Sequence, residues 1–486
     1  MCKPNCIKKE VYKDMVFSSI PFIFYFLPVF LIIYFAVPFK FKNVVILIFS
    51  LIFYGWGEPI YISLLVISSV IDYINGIMME KYKGKRSKQK VFLTISVVMN
   101  LGLLGVFKYA DLFIGSFNSV TGSNLALTNL ALPIGISFFT FQTMSYSIDV
   151  FLGNVETEHN FINYMTYVSM FPQLVAGPIV RYADVAKELK KRTINREGVV
   201  NGFIRFSMGL FKKVLIANQI GELWDTSLLK VDGLSVCGAW IGILGFALQI
   251  YFDFSGYSDM AIGMGGMMGF KYPENFNYPY ISKSITEFWR RWHMSLSEWF
   301  KLYVYIPLGG NKKGKKRQII NLIIVWTLTG FWHGASWNFM LWGFYFALLL
   351  VFEKFLIMPA TDKLKKSLKG VTLNIYKVIE HICTFVLILV SWVMFAVTDF
   401  SEMVKYFKHM LGINAEFTNS YFFYNLTNYG LILMVGIVLS TPIYPLLKKH
   451  VKGLRILKGL ILVVLFIVTM SFLVRNTYNP FLYFRF

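Results

Sequence analysis

Long apolar stretches, repeated along almost the whole chain, are the feature that most constrains its fold. Stretches of about 20 mostly apolar residues, the length that a helix needs to cross the hydrocarbon core of a bilayer, recur from Val16 nearly to the last of the 486 residues. Charged residues make up only 15% of the chain, whereas soluble domains carry about a quarter. The sequence therefore predicts an integral membrane protein and argues against a large soluble enzyme.

We expect an all-α polytopic fold, because only helices and closed barrels satisfy their backbone polar groups in lipid. About 11–12 membrane crossings are predicted, in the stretches 17–38, 41–57, 59–79, 91–110, 131–150, 200–220, 238–255, 318–335, 337–358, 376–398, 430–447 and 456–474. Residues 161–180 and 256–310 are rich in Gly, Pro and aromatic residues, and we predict re-entrant or interfacial helices there. Such pieces must line a cavity or be buried in protein, so a site is expected among them.

The net charge of +22 indicates topology rather than nucleic-acid binding, because the basic residues concentrate in short segments between the apolar stretches. By the positive-inside rule these segments are cytoplasmic: Lys81–Lys90, Arg181–Arg196, Lys312–Arg317, Lys363–Lys369 and Lys448–Lys458. The segment Asn118–Asn129 carries no charge and is expected outside the cell.

The amino terminus gives conflicting signals for orientation. Counting back from the first basic segment places it outside, but Lys3, Lys8, Lys9 and Lys13 favour the inside. The conflict disappears if synthesis begins at Met15, so we interpret residues 1–14 as an amino-terminal extension and residues 15–486 as a single integral membrane domain. No cleavage site precedes the first span, which is expected to remain as an anchor.

Four cysteines are present, at positions 2, 6, 237 and 383, without paired CxxC clusters or a His-Cys set of structural-zinc spacing. We therefore expect no disulfide and no metal site. Cys237 or Cys383 could serve as an acyl-carrying nucleophile, although a lone cysteine in an apolar stretch more often packs as a small hydrophobic residue.

His333 is the single ionisable residue of QIINLIIVWTLTGFWHGASWNFMLWGFYFALLL. Fifteen helical steps from Gln318 place it about 22 Å along the helix, inside the membrane. An ionisable residue at that depth is costly and usually functional, and an imidazole kept neutral can accept a proton. The alternative is a structural histidine bonded to a neighbouring hydroxyl or carbonyl.

A second histidine, His293, lies in ITEFWRRWHMSLSEWFKLYVYIPLGG beside Arg290, Arg291 and Trp292. Tryptophan and arginine together favour a membrane interface, which would make this cluster an anchor. Arginine side chains also suit phosphates, so the cluster could instead bind the anionic part of an acyl donor. Both interpretations remain open from the sequence.

Two aspartates, Asp253 and Asp259, lie in the apolar stretch YFDFSGYSDMAIGMGGMMG. We expect them to bond to the backbone or to Arg and Tyr neighbours rather than to act in catalysis. The glycines of this stretch lack the Lys-Ser/Thr ending of a phosphate loop, and close helix packing explains them better.

These motifs, taken together, resemble those of the membrane-bound O-acyltransferases, and most closely the bacterial branch typified by the alginate O-acetylation membrane protein. The resemblance rests on MVFSSIPFIFYFLP, MSYSIDVF, FPQLVAGPIVRY, FDFSGYSDMAIG, NFNYPYISKSITEFWRRWHMSLSEWF, YIPLGGNKKG, FWHGASWNFMLWG and NPFLYFRF. It covers nearly the whole chain after residue 14, and 359–380 and 400–430 are its least informative parts.

The resemblance implies a ring of helices around a central tunnel, and it makes His333 the catalytic histidine and His293 the second polar residue of the site. Arg290, Arg291, Trp292 and Trp332 are the expected donor-binding residues. The expected protein is a multi-pass enzyme of the bacterial plasma membrane, embedded in the lipid bilayer, with no bound cofactor and no nucleic-acid partner.

The expected reaction passes an acyl group, first of all acetyl, from a cytoplasmic thioester such as acetyl-CoA to hydroxyls of an extracytoplasmic polysaccharide, or to a partner acetyltransferase. D-alanyl transfer to teichoic acid is the nearest alternative. A transporter or flippase without acyl transfer is a rival of a different class. Acyl transfer needs a base near the hydroxyl, which His333 can supply, and a donor for the oxyanion. His293, a tryptophan N–H and a backbone N–H remain candidates for that donor.

The topology can be tested by placing single cysteines in each connecting segment of a cysteine-free variant. A membrane-impermeant thiol reagent added to intact cells should label a cysteine within 118–129, and should leave cysteines within Lys81–Lys90 and Lys312–Arg317 unlabelled. Labelling of Lys312–Arg317 from outside would reverse the direction of the helix that carries His333. Entry of the donor from the cytoplasm would then be excluded.

Overall fold

The computed structural model describes residues 15–443, 445–446, 454–475 and 482. Every regular element within these residues is helical, and no strand occurs among them. The proposed extension, residues 1–14, lies outside the described residues, as does the larger part of the basic segment Lys448–Lys458.

Seven described helices are long and apolar enough to cross a membrane, which confirms an all-α polytopic fold. They are Phe39–Gly57, Ile62–Lys81, Arg86–Thr121, Val236–Met268, Trp337–Ser367, Gly370–Ala396 and Ser420–Leu439. Each overlaps one of the predicted crossings. The ring of helices around a tunnel stays a prediction.

The remaining predicted crossings are also helical but are shorter or less apolar. They correspond to Phe22–Ala36, Ile136–Leu152, Arg196–Phe211, Gly314–His333 and Gly459–Arg475. The helix Ile136–Leu152 is less apolar because it carries Thr, Gln, Ser and Asp side chains. Nearly all of these are buried against other helices rather than exposed to lipid.

The described residues form two compact units. The first takes those of Met1–Leu210, Tyr257–Pro273 and Met470–Arg485, and the second takes those of Phe211–Gly256 and Glu274–Thr469. Further helices of the first unit are Phe161–Ser169, Phe171–Leu174 and Tyr182–Lys190. Those of the second unit include Asn218–Leu229, Ile285–Trp289, Met294–Phe300, Met358–Ser367 and Phe400–Met410. A single integral membrane domain over residues 15–486 stays a prediction.

In the first unit, a buried carboxylate links three helices. Asp72, on Ile62–Lys81, accepts hydrogen bonds from Ser96 and from Asn100, whose Nδ2 lies 2.6 Å from Oδ2. Ser147, on Ile136–Leu152, donates a third hydrogen bond over 3.0 Å. Since an unsatisfied polar group in an apolar interior is costly, these donors make the burial of Asp72 tolerable and fix the mutual position of the helices.

The glycines of YFDFSGYSDMAIGMGGMMG allow close helix packing, as predicted. A Cβ atom on Gly263 would lie 2.6 Å from the carbonyl oxygen of Gly202, so no larger residue fits without movement. Asp259 forms an ion pair with Arg205 over 2.9 Å, also as predicted. The predicted change to short helices at residue 256 was wrong, because Val236–Met268 is one helix of 33 residues. Its glycines allow close packing and do not end the helix.

In the second unit, Gly314–His333 and Trp337–Phe352 form a tight helical hairpin, which we call the histidine hairpin. A Cβ atom on Gly330 would lie 2.2 Å from the carbonyl oxygen of Phe339, and one on Gly343 would lie 2.3 Å from that of Trp326. The absence of side chains at both glycines lets the two backbones touch. This contact lies one turn before His333 and fixes the end of its helix.

A Gly330→Ala substitution should therefore destabilise the protein by about 1–3 kcal/mol, the usual cost of overpacking. Gly102→Ala is the matched control, because Gly102 is an exposed helical glycine, and a Cβ atom added to it would meet no other atom within 4 Å. It should be neutral or stabilising by up to about 1 kcal/mol, since alanine favours helix. Melting temperatures of the detergent-solubilised variants measure the difference, and a Gly330→Ala protein as stable as the control would contradict the close approach.

Candidate active site

The segment that carries His293 is built from short helices, as predicted for the part of 256–310 that follows the long helix. Ile285–Trp289 begins at Ser284, whose hydroxyl accepts a hydrogen bond from the N–H of Glu287 over 3.0 Å. The buried carboxylate of Glu353 also accepts the N–H groups of Ile285 (2.5 Å) and Thr286 (2.9 Å). A negative group at a helix amino terminus is favourable, so Glu353 holds this short helix in place.

His293 occupies an unusual backbone position immediately before the helix Met294–Phe300. Its φ of +44° lies in the left-handed region, which side chains other than glycine, asparagine and aspartate rarely adopt. The side chain is 1% exposed. A strained and fully buried conformation of this kind persists only when neighbouring contacts determine it, and such positions concentrate at functional sites.

Asn275 supplies those contacts. Its Oδ1 lies 3.0 Å from Nδ1 of His293 and accepts hydrogen bonds from the hydroxyl of Ser295 (2.9 Å) and from the N–H of Ser295 (3.4 Å). The backbone carbonyl of Asn275 accepts the N–H of Met294 over 3.0 Å. One buried residue therefore holds three consecutive residues of the turn that presents His293.

His333 is the last residue of the first helix of the histidine hairpin and is buried, with 6% of its surface exposed. The indole of Trp332 contacts both imidazoles, with ring centroids 5.0 Å from that of His333 and 5.9 Å from that of His293. Trp342 and Phe395 meet His333 edge to face at 5.0 Å and 5.3 Å. The structure thus brings both predicted histidines into one aromatic-walled site.

The site contains buried polar atoms without a hydrogen-bond partner inside the protein. Among the described residues, Nε2 of His293 and Nε1 of Trp342 and of Trp289 are buried and make no hydrogen bond within the protein. The rings of Trp289 and Trp342 lie 5.7 Å apart. Because buried polar groups are almost always satisfied, such a cluster is typical of a place where a substrate supplies the missing partners.

Burial also determines the charge state of His293, which lies outside the seven helices long enough to span a membrane. Removal from water lowers the pKa of its imidazole, because burial penalises the charged form. The ring is therefore neutral near pH 7. A neutral imidazole has one nitrogen that donates and one that accepts, as proton transfer requires.

The expected donor-binding residues separate into two groups. Trp332 lies between the histidines, and Trp292 is buried among Phe276 (5.1 Å), Phe288 (5.5 Å) and Trp392 (5.0 Å). Arg290 is exposed, and Arg291 is half-buried and paired with Glu287 over 2.9 Å. Their binding of a donor stays a prediction.

Several residues of the site were not singled out from the sequence, namely Asn275, Ser295, Trp342, Phe254 and Glu353. Asn275 begins the motif NFNYPY, but nothing in the sequence links it to a histidine 18 positions later. Phe254 packs edge to face on His293 at 4.7 Å. Its neighbour Asp253 forms a buried ion pair with Lys213 over 2.7 Å. The aspartates of this stretch were predicted to bond to the backbone or to Arg and Tyr neighbours, and the ionic partner of Asp253 is instead a lysine.

The arrangement suits proton transfer and the stabilisation of an oxyanion. Two buried imidazoles offer a base, and buried indole N–H groups offer donors in surroundings of low dielectric constant, where such hydrogen bonds are strongest. Within the described residues, no group of three His, Cys, Asp or Glu side chains lies close enough together to hold a metal ion.

Comparison with known proteins relates this site to one enzyme family. The model of the membrane-bound O-acyltransferase family matches residues 60–397, which include both histidines. A protein named "Probable alginate O-acetylase" from Azotobacter vinelandii is 40% identical over 385 residues, covering 78% of this chain and 75% of its own. A protein of the same name from Pseudomonas putida is 34% identical over 505 residues, covering 97% of this chain and all of its own.

A third relative carries a different name. The protein named "Peptidoglycan O-acetyltransferase" from Helicobacter pylori is 35% identical over 432 residues, covering 82% of this chain and 80% of its own. Both the family match and the relatives cover most of the chain, and they agree with the helical membrane fold. The chain belongs to the membrane-bound O-acyltransferase family and is an O-acyltransferase with a multi-pass membrane fold.

Proposed function

We propose that this enzyme, in the plasma membrane of a bacterium, passes an acetyl group from a cytoplasmic thioester across the membrane to hydroxyls of an extracytoplasmic polysaccharide, or to a partner acetyltransferase. Acetyl-CoA is the proposed donor. The names of the relatives, which refer to alginate and to peptidoglycan, support a cell-envelope polysaccharide as the acceptor.

The observation that carries the proposal is the pair of buried imidazoles on either side of Trp332. Each histidine sits at the end of a helix or turn that is fixed by backbone contacts, through Gly330 and Gly343 for His333 and through Asn275 for His293. Burial of two imidazoles next to unpartnered indole N–H groups has no evident structural benefit, because apolar residues would pack there at lower cost.

The reaction follows from these groups. His333, as the proposed base, takes the proton of the acceptor hydroxyl while the hydroxyl oxygen bonds to the thioester carbonyl carbon. The carbonyl oxygen becomes an oxyanion, for which the N–H of Trp342 is a buried donor within contact of His333. The carbon–sulfur bond then breaks, and the thiolate leaves with the proton that the imidazole returns. No protein nucleophile is needed.

A His333→Ala substitution should reduce acetyl transfer by about 10²–10⁴-fold, because a positioned base typically contributes that much. Transfer is measured as labelled acetyl groups on the polysaccharide, at equal amounts of membrane-inserted protein. His159→Ala is the matched control, since His159 is an exposed histidine paired with Glu80. Undiminished acetylation by the His333 variant would overturn the proposed role. An acyl-independent export defect would instead support a transporter.

A His293→Ala substitution should also reduce transfer, while the protein still inserts and melts cooperatively. Donor binding and turnover are measured separately, the former with a non-hydrolysable acetyl-CoA analogue. Turnover should fall more than donor affinity, because the proposed role of His293 is in the transfer step and an interaction made only in that step changes the rate rather than donor binding. Wild-type values for both quantities would show that His293 is structural.

A further inference from the structure

The hydrogen bonds around Asn275 determine which nitrogen of His293 carries the proton. We propose that Asn275 is a positioning residue that holds His293 as the Nδ1–H tautomer, so that Nε2 presents a lone pair to the substrate and accepts a hydrogen bond from it. The inference rests on the proposed function and deepens it, because it assigns the chemical role of the second histidine.

The partners of the Asn275 amide determine its orientation. Oxygen and nitrogen of an amide group are distinguished by their partners, and the backbone N–H of Ser295 can only donate. It points to the same amide atom, over 3.4 Å, as the Ser295 hydroxyl does over 2.9 Å. That atom must therefore be the oxygen, an acceptor.

The acceptor oxygen of Asn275 also determines which nitrogen of the imidazole is protonated. Nδ1 of His293 lies 3.0 Å from the same oxygen, so Nδ1 must carry a proton. A neutral ring has only one proton on nitrogen, which leaves Nε2 bare. The groups in contact with the ring, Phe254 and Trp332, carry no charge, and the Asp253 next to Phe254 is paired with Lys213.

Nε2 of His293 is left as a hydrogen-bond acceptor for the substrate. It is buried and has no hydrogen-bond partner among the described residues. A bare nitrogen cannot donate a hydrogen bond to an oxyanion, so His293 is removed from the candidates for that role, and the tryptophan and backbone N–H groups remain. The bare nitrogen instead suits a substrate donor, which for a polysaccharide acceptor is a hydroxyl. The arrangement of a histidine oriented by a third group is common among acyl-transfer sites.

The tautomer is tested directly by nitrogen NMR of the full-length protein, labelled with ¹⁵N-histidine in detergent micelles, with the His293 signals assigned by their loss in His293→Ala. We expect Nδ1 protonated and Nε2 unprotonated in the wild type near pH 7. A proton on Nε2 would overturn the inference. The measurement does not depend on acyl transfer, so absence of transfer by the wild type would refute the proposed function while this result still decided the role of Asn275.

Variants of Asn275 test the functional consequence. Asn275→Leu removes the acceptor and should release the tautomer and lower acetyl transfer about 10-fold to 100-fold, as loss of a histidine's orienting partner commonly does. Asn275→Asp keeps an acceptor oxygen, and should retain the Nδ1–H tautomer and recover transfer relative to Asn275→Leu. Comparison of the two variants separates positioning from a purely structural effect, because both substitutions disturb the packing but only Asn275→Leu removes the acceptor.

Asn277→Leu is the matched control, because Asn277 is exposed and lies two residues away on the same segment. Its bonds to Arg291 use only its backbone. It should behave as wild type in the NMR spectrum and in transfer. Equal losses in Asn275→Leu and Asn275→Asp with an unchanged tautomer in both would overturn the proposal, as would full activity of Asn275→Leu.

Discussion

A polar group that leaves water must find its hydrogen-bond partner inside the protein, and this constraint organises most of the structure. The carboxylate of Asp72 is buried with three side-chain donors around it, and that of Glu353 accepts two backbone N–H groups at a helix start. Asp253 is buried against Lys213. Each pairing joins separate segments, so the satisfaction of polar groups also fixes how the helices pack. Among the described residues, Nε2 of His293 and the indole nitrogen of Trp342 are buried in the candidate site without a partner inside the protein, so both are available to a substrate.

Backbone contact, rather than side-chain packing, sets the position of His333. Gly330 and Gly343 bring the two helices of the histidine hairpin together so closely that a methyl group would collide with a carbonyl oxygen. The short connection of residues 334–336 then places the imidazole against the indoles of Trp332 and Trp342. A histidine held in this way loses little freedom when the substrate binds, which favours proton transfer in a fixed geometry.

The sequence predicted the features that depend on local composition. Apolar length located the membrane helices but not all of their ends, since Val236–Met268 was predicted as 238–255 and Ser420–Leu439 as 430–447. The isolation of His333 in an apolar stretch marked a candidate for function. The predicted end of the long helix at residue 256 was wrong because the sequence does not distinguish a glycine that permits close packing from one that ends a helix. Gly202 and Gly263 are glycines of the first kind. Asn275 was missed because its role depends on a contact between two turns, and the pattern of apolar residues in the sequence does not predict such a contact.

The same contact argues against interfacial anchoring, one of the two interpretations of His293 that the sequence left open. Interfacial anchoring would place the imidazole near water or lipid headgroups, whereas the side chain is 1% exposed and lies between Phe254 and Trp332. Its left-handed backbone conformation costs about 1–2 kcal/mol, which the hydrogen bonds from the turn to Asn275 offset. An exposed anchor would not need such a conformation. In this turn the ring is fully buried, with one nitrogen bonded to the protein and the other left for a substrate, which is the arrangement that the proposed role of His293 requires.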